Sequence, residues 1–329
     1  MRFGRSCVIL SKPEVLVVGA GVSGLSSGIL LIKAGYEVHI WAKDLPPNTT
    51  SNIAAAFWYP YLAKPVDKVT KWSGYTLKYL KDNLISDPAT GCVTRTVHEF
   101  FDHKVDDPSW RSAVENFRRL EPHEIPEGYV DGYATEAALM DTSIYMDWLM
   151  SEYQRLGGTI EQKAISKLDE ALAVYDIVVN CTGLGARELC NDTSLYPVRG
   201  QIVKVKPTGF ELVINDDYGP NGLCYIVPRI NDVVLGGTEQ EHDSNLGIDD
   251  QDTEDILRKA WFFSPSFNNA EIIEIKVGLR PVRDEVRVEA ESFGNKYVVH
   301  NYGHGGAGFT LSWGCAQEVT DIVNQFDTL

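Results

Sequence analysis

The stretch Val15-Leu-Val-Val-Gly-Ala-Gly-Val-Ser-Gly-Leu25 decides the fold of this chain of 329 residues. Its apolar start predicts a strand, the pattern Gly19-x-Gly21-x-x-Gly24 follows, and apolar residues at helical spacing then predict a helix that ends at Gly35. A second alternating strand begins at Glu37. This order of strand, glycine turn, helix and strand predicts a dinucleotide site, with the pyrophosphate at the helix N-terminus. Glycines that serve only the turn are the alternative.

The composition is that of a soluble globular protein, with 44% hydrophobic and 23% charged residues. A net charge of −16 argues against a general nucleic-acid surface, which would need basic residues. No apolar run reaches membrane-spanning length. The six cysteines are scattered without a CxxC pair, which favours reduced thiols and argues against a zinc site.

Neither end of the chain carries a recognisable targeting signal. The first dozen residues are basic but lack the apolar core of a signal peptide. The chain ends in Asp-Thr-Leu, which is not a peroxisomal tripeptide. We therefore expect a cytoplasmic protein.

The order of the predicted elements indicates two interleaved domains of an α/β protein. Strands of the nucleotide-binding type are predicted at the start, at 175–181 and at 296–301, and an antiparallel set lies between them at 198–240. We predict a Rossmann-like domain interleaved with an antiparallel-sheet α+β substrate domain. The first comprises residues 13–62, 135–198 and 276–329, and the second comprises 63–134 and 199–275. Helices are predicted at 66–84, 109–120, 142–156, 253–261 and 311–326, and a Pro/Arg turn near 280–283.

Three glycine-rich turns, at 19–24, 183–185 and 303–308, follow predicted strands. Ligands of open α/β sheets lie beyond the carboxyl ends of the strands, so the three turns suit one extended cofactor. The third opens the last helix, whose N-terminus would favour an electron-rich group such as a reduced flavin. No other histidine or cysteine lies at ligand spacing from His304, which argues against a metal there.

Two arginines and a tyrosine are candidates for binding a small anion. Arg280 and Arg283 follow a predicted strand, and a guanidinium matches a carboxylate in two parallel hydrogen bonds. Ion pairs with the neighbouring Asp284 and Glu285 are the alternative. Tyr225 is either a core aromatic residue or a hydroxyl donor.

Longer motifs over residues 13–323 together resemble the D-amino-acid oxidase family of FAD-dependent flavoproteins. They are Thr49-Thr-Ser-Asn-Ile-Ala-Ala-Ala-Phe-Trp-Tyr-Pro-Tyr61, Val179-Asn-Cys-Thr-Gly183, Arg199-Gly-Gln-Ile202, Gly236-Gly-Thr238, Gly278-Leu-Arg-Pro-Val-Arg283 and His300-Asn-Tyr-Gly-His-Gly-Gly-x-Gly308.

The resemblance implies FAD as the cofactor. Many dinucleotide folds end their second strand with an acidic residue, whereas Ala42 stands there in this chain and is followed by Lys43 and Asp44, as in the oxidase family. The motif and the resemblance together assign these residues to FAD: Gly19, Ala20, Gly21, Val22, Ser23, Gly24, Lys43, Asp44, Thr49, Thr50, Ser51, Ala55, Ala56, Ile165, Thr182, Gly183, Gly305, Gly306, Ala307, Gly308, Phe309 and Thr310.

The resemblance also implies a substrate site. Arg280 would bind the substrate carboxylate with the Tyr225 hydroxyl as a second donor, and the Gly306 carbonyl would accept from the amine. Asn221 stands where mammalian members carry a second tyrosine, and the loop between 214 and 225 is shorter than theirs. The remaining expected substrate contacts are Phe57, Tyr59 and Asp216, which favour neutral, aromatic or basic side chains over acidic ones.

The implied reaction is oxidative deamination of a D-amino acid to a 2-oxo acid, ammonia and H2O2. A hydride would pass from the substrate Cα to flavin N5, and we expect no protein acid or base in that step. The expected partners are the D-amino acid and O2, with no nucleic acid or membrane, and a homodimer is expected. The alternatives are a D-aspartate oxidase, a glycine or sarcosine oxidase, an NAD(P)-dependent dehydrogenase and a non-catalytic flavin-binding protein.

Overall fold

A computed structural model describes residues 12–217 and 219–326 of the chain. The first eleven residues and the last three lie outside this range, so the expectations about both chain ends remain predictions. No helix of the described residues is both long and apolar enough to cross a bilayer.

The predicted β-α-β unit is confirmed at the start of the described chain. Strand β1 (Glu14–Val18) leads into helix α1 (Val22–Lys33), and strand β2 (Glu37–Ala42) pairs with β1 in parallel. The four apolar residues of β1 are buried, as expected for a parallel strand covered on both faces.

One continuous sheet of 14 strands runs through the protein. Its order is β4-β5-β3-β9-β10-β11-β8-β13-β14-β7-β1-β2-β6, with β12 pairing with β8. The remaining strands are β3 (Cys92–Phe101), β4 (Arg118–Arg119), β5 (Asp131–Met140), β6 (Thr159–Gln162), β7 (Ile177–Asn180), β8 (Tyr196–Val205), β9 (Val213–Asp216), β10 (Cys224–Pro228), β11 (Val233–Gly236), β12 (Gln240–Glu241), β13 (Ile272–Phe293) and β14 (Lys296–His304).

Parallel and antiparallel pairings occupy different parts of this sheet. The run β14-β7-β1-β2-β6 is parallel, whereas most pairs from β4 to β13 are antiparallel, which confirms the predicted α/β class with a Rossmann-like part. The exact domain boundaries stay a prediction, because β13 pairs with β8 on one side and β14 on the other. The other helices are α2 (Val66–Asn83), α3 (Thr142–Arg155), α4 (Leu168–Leu172), α5 (Ala186–Leu189), α6 (Asp250–Phe263) and α7 (Gly308–Phe326).

Two local predictions were wrong. The segment 109–120 forms a short 3-10 turn, Ser109–Ala113, and the two-residue strand β4 in place of a helix, and Trp110 packs into an aromatic cluster with Trp58 at a ring distance of 5.7 Å. The predicted Pro/Arg turn is instead the middle of β13. Pro281 lies next to an irregularity in the pairing with β14, where a proline is tolerated.

Candidate active site

A cavity of about 650 Å³ lies where the parallel strands meet the antiparallel part of the sheet. Its volume is within the range of cofactor and ligand pockets. One end is lined by the residues that follow β1, β2 and β7, and the other by side chains of β9, β10 and β13. The three glycine turns predicted to converge on one ligand all line this cavity.

The first glycine turn leaves the N-terminus of α1 open to the cavity. Gly19 has a φ of +112°, and its carbonyl oxygen occupies the place where a Cβ of Gly24 would be. Gly21 caps α1 without a side chain, and Ser51 Oγ accepts from the Val22 N–H at 3.0 Å. The N–H groups of a first helical turn have no partner within the helix, so this end suits a pyrophosphate.

Beyond the turn, the cavity reaches a group of polar side chains at the end of β2. Lys43 and Asp44 line it as expected, together with Ile165 and Lys163. Lys163 holds its Nζ 3.3 Å from the ring centroid of Trp41, a cation–π contact that fixes a positive charge beside the cavity. The sequence reasoning missed Lys163, because no local sequence pattern indicates that a lysine after β6 reaches the end of the neighbouring strand β2.

At the opposite end, Arg280 presents its guanidinium to the cavity. The guanidinium lies against Gly200, where a Cβ would come within 2.7 Å of Arg280 Cζ. Arg280 Nη1 donates to the carbonyl of Thr238 at 2.9 Å, and a hydrogen bond joins the side chain to Tyr225. Within the described chain Arg280 forms no ion pair with a carboxylate, so the alternative of a local ion-pair cluster is wrong for Arg280. Arg283 does form an ion pair, but its partner is Asp192, which is far from it in the sequence, and not Asp284 or Glu285. Asp192 Oδ2 lies 2.9 Å from Arg283 Nε.

Tyr225 belongs to a row of residues that runs across five strands. Register pairs Tyr133 with Glu99, Glu99 with Asn215, Asn215 with Tyr225, and Tyr225 with Gly236. Residues paired in this way project from the same face of a sheet. The row therefore places the carboxyl group of Glu99 and the amide group of Asn215 on the same face of the sheet as Tyr225.

Glu99 is the buried acid of this row, with 2% of its surface exposed. Its two carboxyl oxygens accept from the hydroxyls of Tyr59 at 2.6 Å and Tyr133 at 2.5 Å. Burial raises the pKa of Glu99 to about 8, and the nearby Asp217 adds to the shift. The sequence reasoning missed this residue, although a glutamate directly before Phe100 and Phe101 is a signal worth following.

The third glycine turn brings the start of α7 to the same cavity. Gly306 lies against the ring of Tyr61, where a Cβ would be 2.9 Å from Cδ1. His304 is buried, its Nε2 lies 3.0 Å from Asn301 Oδ1, and burial lowers its pKa to about 4. The histidine is therefore neutral at physiological pH and forms an internal hydrogen bond.

Most of the predicted site residues line the cavity, and five do not. Those that do are Gly19, Ala20, Gly21, Val22, Ser23, Lys43, Asp44, Thr49, Thr50, Ser51, Ala55, Ala56, Phe57, Tyr59, Ile165, Thr182, Gly183, Tyr225, Arg280, Gly305, Gly306, Gly308 and Phe309. Those outside the cavity wall are Gly24, Ala307, Thr310, Asp216 and Asn221.

The three predicted cofactor residues outside the cavity wall support the wall from behind. Gly24 packs against the backbone of Gly19, and Ala307 is fully buried. The Thr310 hydroxyl accepts from the Tyr59 N–H at 3.0 Å and donates to the Tyr59 carbonyl at 2.9 Å. These contacts hold the turns in place.

The two predicted substrate residues outside the cavity wall form hydrogen bonds with Tyr129. Asp216 accepts from the Tyr129 hydroxyl and from the Gly219 N–H, and Asn221 Nδ2 lies 3.5 Å from the same hydroxyl. Asn215 faces the cavity, so alternation along β9 turns Asp216 to the opposite face. Asp217, which the sequence reasoning did not consider, lines the cavity in its place.

Comparison with known proteins decides the family. The profile described as FAD dependent oxidoreductase matches residues 14–322. The chain belongs to the DAO family of FAD-dependent oxidoreductases. This oxidoreductase is 49% identical to a D-amino-acid oxidase of Dictyostelium discoideum, over 95% of the chain and 92% of the relative. It is 43% identical to a D-amino-acid oxidase of Rubrobacter xylanophilus, over 94% and 95%.

Among solved structures, the oxidoreductase shares its fold with glycine oxidase from Geobacillus kaustophilus. The TM-score is 0.78 at 19% identity, and the match covers 95% of each chain. The cofactor of the present oxidoreductase is FAD. The open turn at Gly21 and the charges at Lys43 and Asp44 fit a dinucleotide.

The protonated state of Glu99 predicts a pH-dependent stability. Its raised pKa means that, between about pH 5 and pH 8, the folded protein keeps a proton that the unfolded chain has released. Stability therefore falls as pH rises through this range, by up to about 1.4 kcal/mol per pH unit. The neutral Glu99→Gln variant should show a shallower slope in urea unfolding at pH 5, 6.5 and 8 with excess FAD. The exposed Glu127→Gln is the control, and an unaltered slope in Glu99→Gln would contradict the assignment.

Proposed function

We propose that this enzyme oxidises D-amino acids to 2-oxo acids and ammonia, with O2 as the electron acceptor. The observation that carries the proposal is the Arg280 guanidinium, which faces the cofactor cavity without a carboxylate partner in the described chain. An uncompensated guanidinium beside a hydroxyl donor suits the carboxylate of an amino acid. The two relatives described above carry the name of this activity.

FAD would be held by the glycine turn of α1, by Thr49–Ser51 and by Lys43 and Asp44 at the outer end of the cavity. When bound, FAD would supply the two-electron oxidation of the substrate carbon, with O2 as the final electron acceptor. The product of the oxygen reaction in this proposal is H2O2.

The protein's own part is to bind and orient the substrate. Arg280 and the Tyr225 hydroxyl bind the carboxylate, and the Gly306 carbonyl accepts a hydrogen bond from the amine. Burial raises the pKa of Tyr225, so its hydroxyl remains a neutral donor. Contacts to carboxylate and amine leave one face of the α-carbon toward the cofactor, which accounts for handedness.

No side chain in this proposal removes the α-proton. Glu99 binds two tyrosine hydroxyls, and the neutral His304 bonds to Asn301. The central step therefore depends on orientation and on the neutral amine of the substrate. A cytoplasmic location and a homodimer complete the proposal as further expectations.

The Tyr225→Phe variant separates binding from chemistry. It removes one neutral hydrogen-bond donor, which contributes about 1 kcal/mol. We expect kcat/KM for D-alanine to fall by about five- to tenfold, chiefly through KM, in steady-state peroxide assays. Complete loss of turnover with FAD still bound would mean that the hydroxyl takes part in the chemical step.

The function is tested with the purified holoenzyme and pairs of enantiomers. We expect H2O2 from D-alanine, D-phenylalanine and D-lysine and none from the corresponding L-amino acids. The bound flavin should lose its absorbance near 450 nm when substrate is added without O2, which an NAD(P)-dependent dehydrogenase would not show. Equal rates with both enantiomers, or no peroxide from any D-amino acid, would contradict the proposal.

A further inference from the structure

Asp217 is the acidic group that faces the substrate end of the cavity. It follows β9 two positions after Asn215, which pairs with Tyr225, and all three line the cavity. Asn215 Nδ2 donates to Asp217 Oδ2 at 3.2 Å, and Tyr59, whose hydroxyl donates to Glu99, lies close to the same carboxyl group. The Asn215 amide thus holds the Asp217 carboxyl group at the cavity wall.

Neither Asp217 nor Glu99 forms an ion pair with a cation of the described residues. Arg280, which lies in the same cavity, is assigned to the substrate carboxylate, and Tyr61 donates to another acid, Glu239, at 3.0 Å. Substrate binding therefore neutralises the positive charge of Arg280 and leaves the acidic side of the cavity without a counter-charge.

The acid that a substrate cation can reach is Asp217 rather than Glu99. Glu99 is buried and accepts hydrogen bonds from the hydroxyls of Tyr59 and Tyr133, whereas Asp217 lines the cavity. Burial raises the pKa of Asp217 to about 7, and the nearby Asp216 and Glu239 add to the shift. A cation bound beside Asp217 favours the ionised form of this carboxyl group.

The register gives the distance scale. Neighbouring strands lie about 4.8 Å apart and residues two apart along a strand about 7 Å, so Asn215 is one strand from Tyr225 and Asp217 is about 8 Å from it. A substrate anchored by its carboxylate at Arg280 and Tyr225 therefore reaches the Asn215–Asp217 side with a stem of several methylene groups. Short side chains leave the carboxylate of Asp217 without a charged partner.

We propose that Asp217 makes this enzyme prefer D-amino acids with a long, positively charged side chain, such as D-lysine and D-arginine. The inference rests on the proposed oxidation of D-amino acids and narrows its substrate class. A charge-assisted hydrogen bond from the substrate ammonium or guanidinium to Asp217 supplies the preference. The same carboxylate repels D-aspartate and D-glutamate.

The test compares D-lysine with D-norleucine, which has the same carbon chain without the charge. In the wild-type holoenzyme we expect kcat/KM for D-lysine to exceed that for D-norleucine by at least tenfold. In Asp217→Asn this ratio should fall at least tenfold, through a higher KM for D-lysine and a better kcat/KM for D-norleucine. Asp217→Glu should restore part of the preference, because it restores the charge.

Asp216→Asn is the matched control, because the Asp216 carboxylate faces Tyr129 outside the cavity, and this variant should keep the wild-type ratio of kcat/KM values.

A wild-type ratio of one or less, or an Asp217→Asn ratio equal to wild type, overturns the inference. If Asp217→Asn does not fold, Nε-acetyl-D-lysine replaces the variant: the wild-type enzyme should use it at least tenfold less well than D-lysine, and equal use overturns the inference. Peroxide from D-norleucine without a preference for D-lysine overturns the cation selectivity alone, whereas no peroxide from any D-amino acid overturns the proposed function itself.

Discussion

Replacing Arg280 with alanine should lower kcat/KM for D-alanine about a thousandfold, mostly through KM. The substrate carboxylate would lose its charged partner, the Arg280 guanidinium, which lies against Gly200 and beside Tyr225. Removing one member of a buried ion pair costs about 3–5 kcal/mol, which corresponds to this factor. Steady-state peroxide assays with the holoenzyme measure the loss.

Arg283→Ala is the matched control for this experiment. Arg283 lies three positions along the same strand, but its guanidinium pairs with Asp192 and does not line the cavity. We expect its KM for D-alanine to stay within about threefold of wild type, since no substrate contact is lost. A near-normal KM in Arg280→Ala would show that the carboxylate binds elsewhere.

The second large effect is expected on cofactor binding when Gly21 is replaced by valine. A Cβ at this position would already come within 3.1 Å of Ser51 Oγ, and a branched side chain would fill the opening at the N-terminus of α1. We expect the Kd for FAD to rise at least a hundredfold, since the pyrophosphate would lose its approach to the helix N–H groups. Titration of the apoprotein with FAD, followed by flavin fluorescence, measures this.

The comparison variant for cofactor binding is Gly74→Ala in α2. A Cβ at Gly74 would meet its nearest atom, Cβ of Ala113, at 3.8 Å, an ordinary contact outside the cavity. Its Kd for FAD should equal that of wild type. Circular dichroism checks that Gly21→Val is folded, and unaltered FAD affinity in a folded Gly21→Val would contradict the site.

The elements that depend on nearby residues were predicted well. The β-α-β unit around Gly21 and the helices α2, α3 and α7 follow from apolar spacing and glycine stops, and all are observed. Prediction failed at Trp110 and Pro281, where distant partners decided the local structure. An aromatic cluster displaced the expected helix, and pairing with two neighbours kept β13 extended through its proline.

The candidate site divides in the same way. Gly21 and Arg280 belong to motifs that are continuous in the sequence, so their chemistry could be predicted from the order of the residues, whereas the role of Tyr225 was implied only by the family resemblance. Glu99 and Asp217 belong to no such motif. Position matching indicates Asp216, because the order of residues does not reveal which side chains of β9 face the cavity.

By itself, the sequence determined the cofactor fold and indicated Arg280 as a candidate for binding a carboxylate, because these depend on short patterns whose geometry is local. Only the tertiary structure decided which acid faces the cavity. Glu99 becomes a neighbour of Asn215 through pairing between two strands, β3 and β9, that are far apart in the sequence. A shift of one residue in that register would turn Asp216 inward and Asp217 outward, since side chains alternate between the faces of a strand.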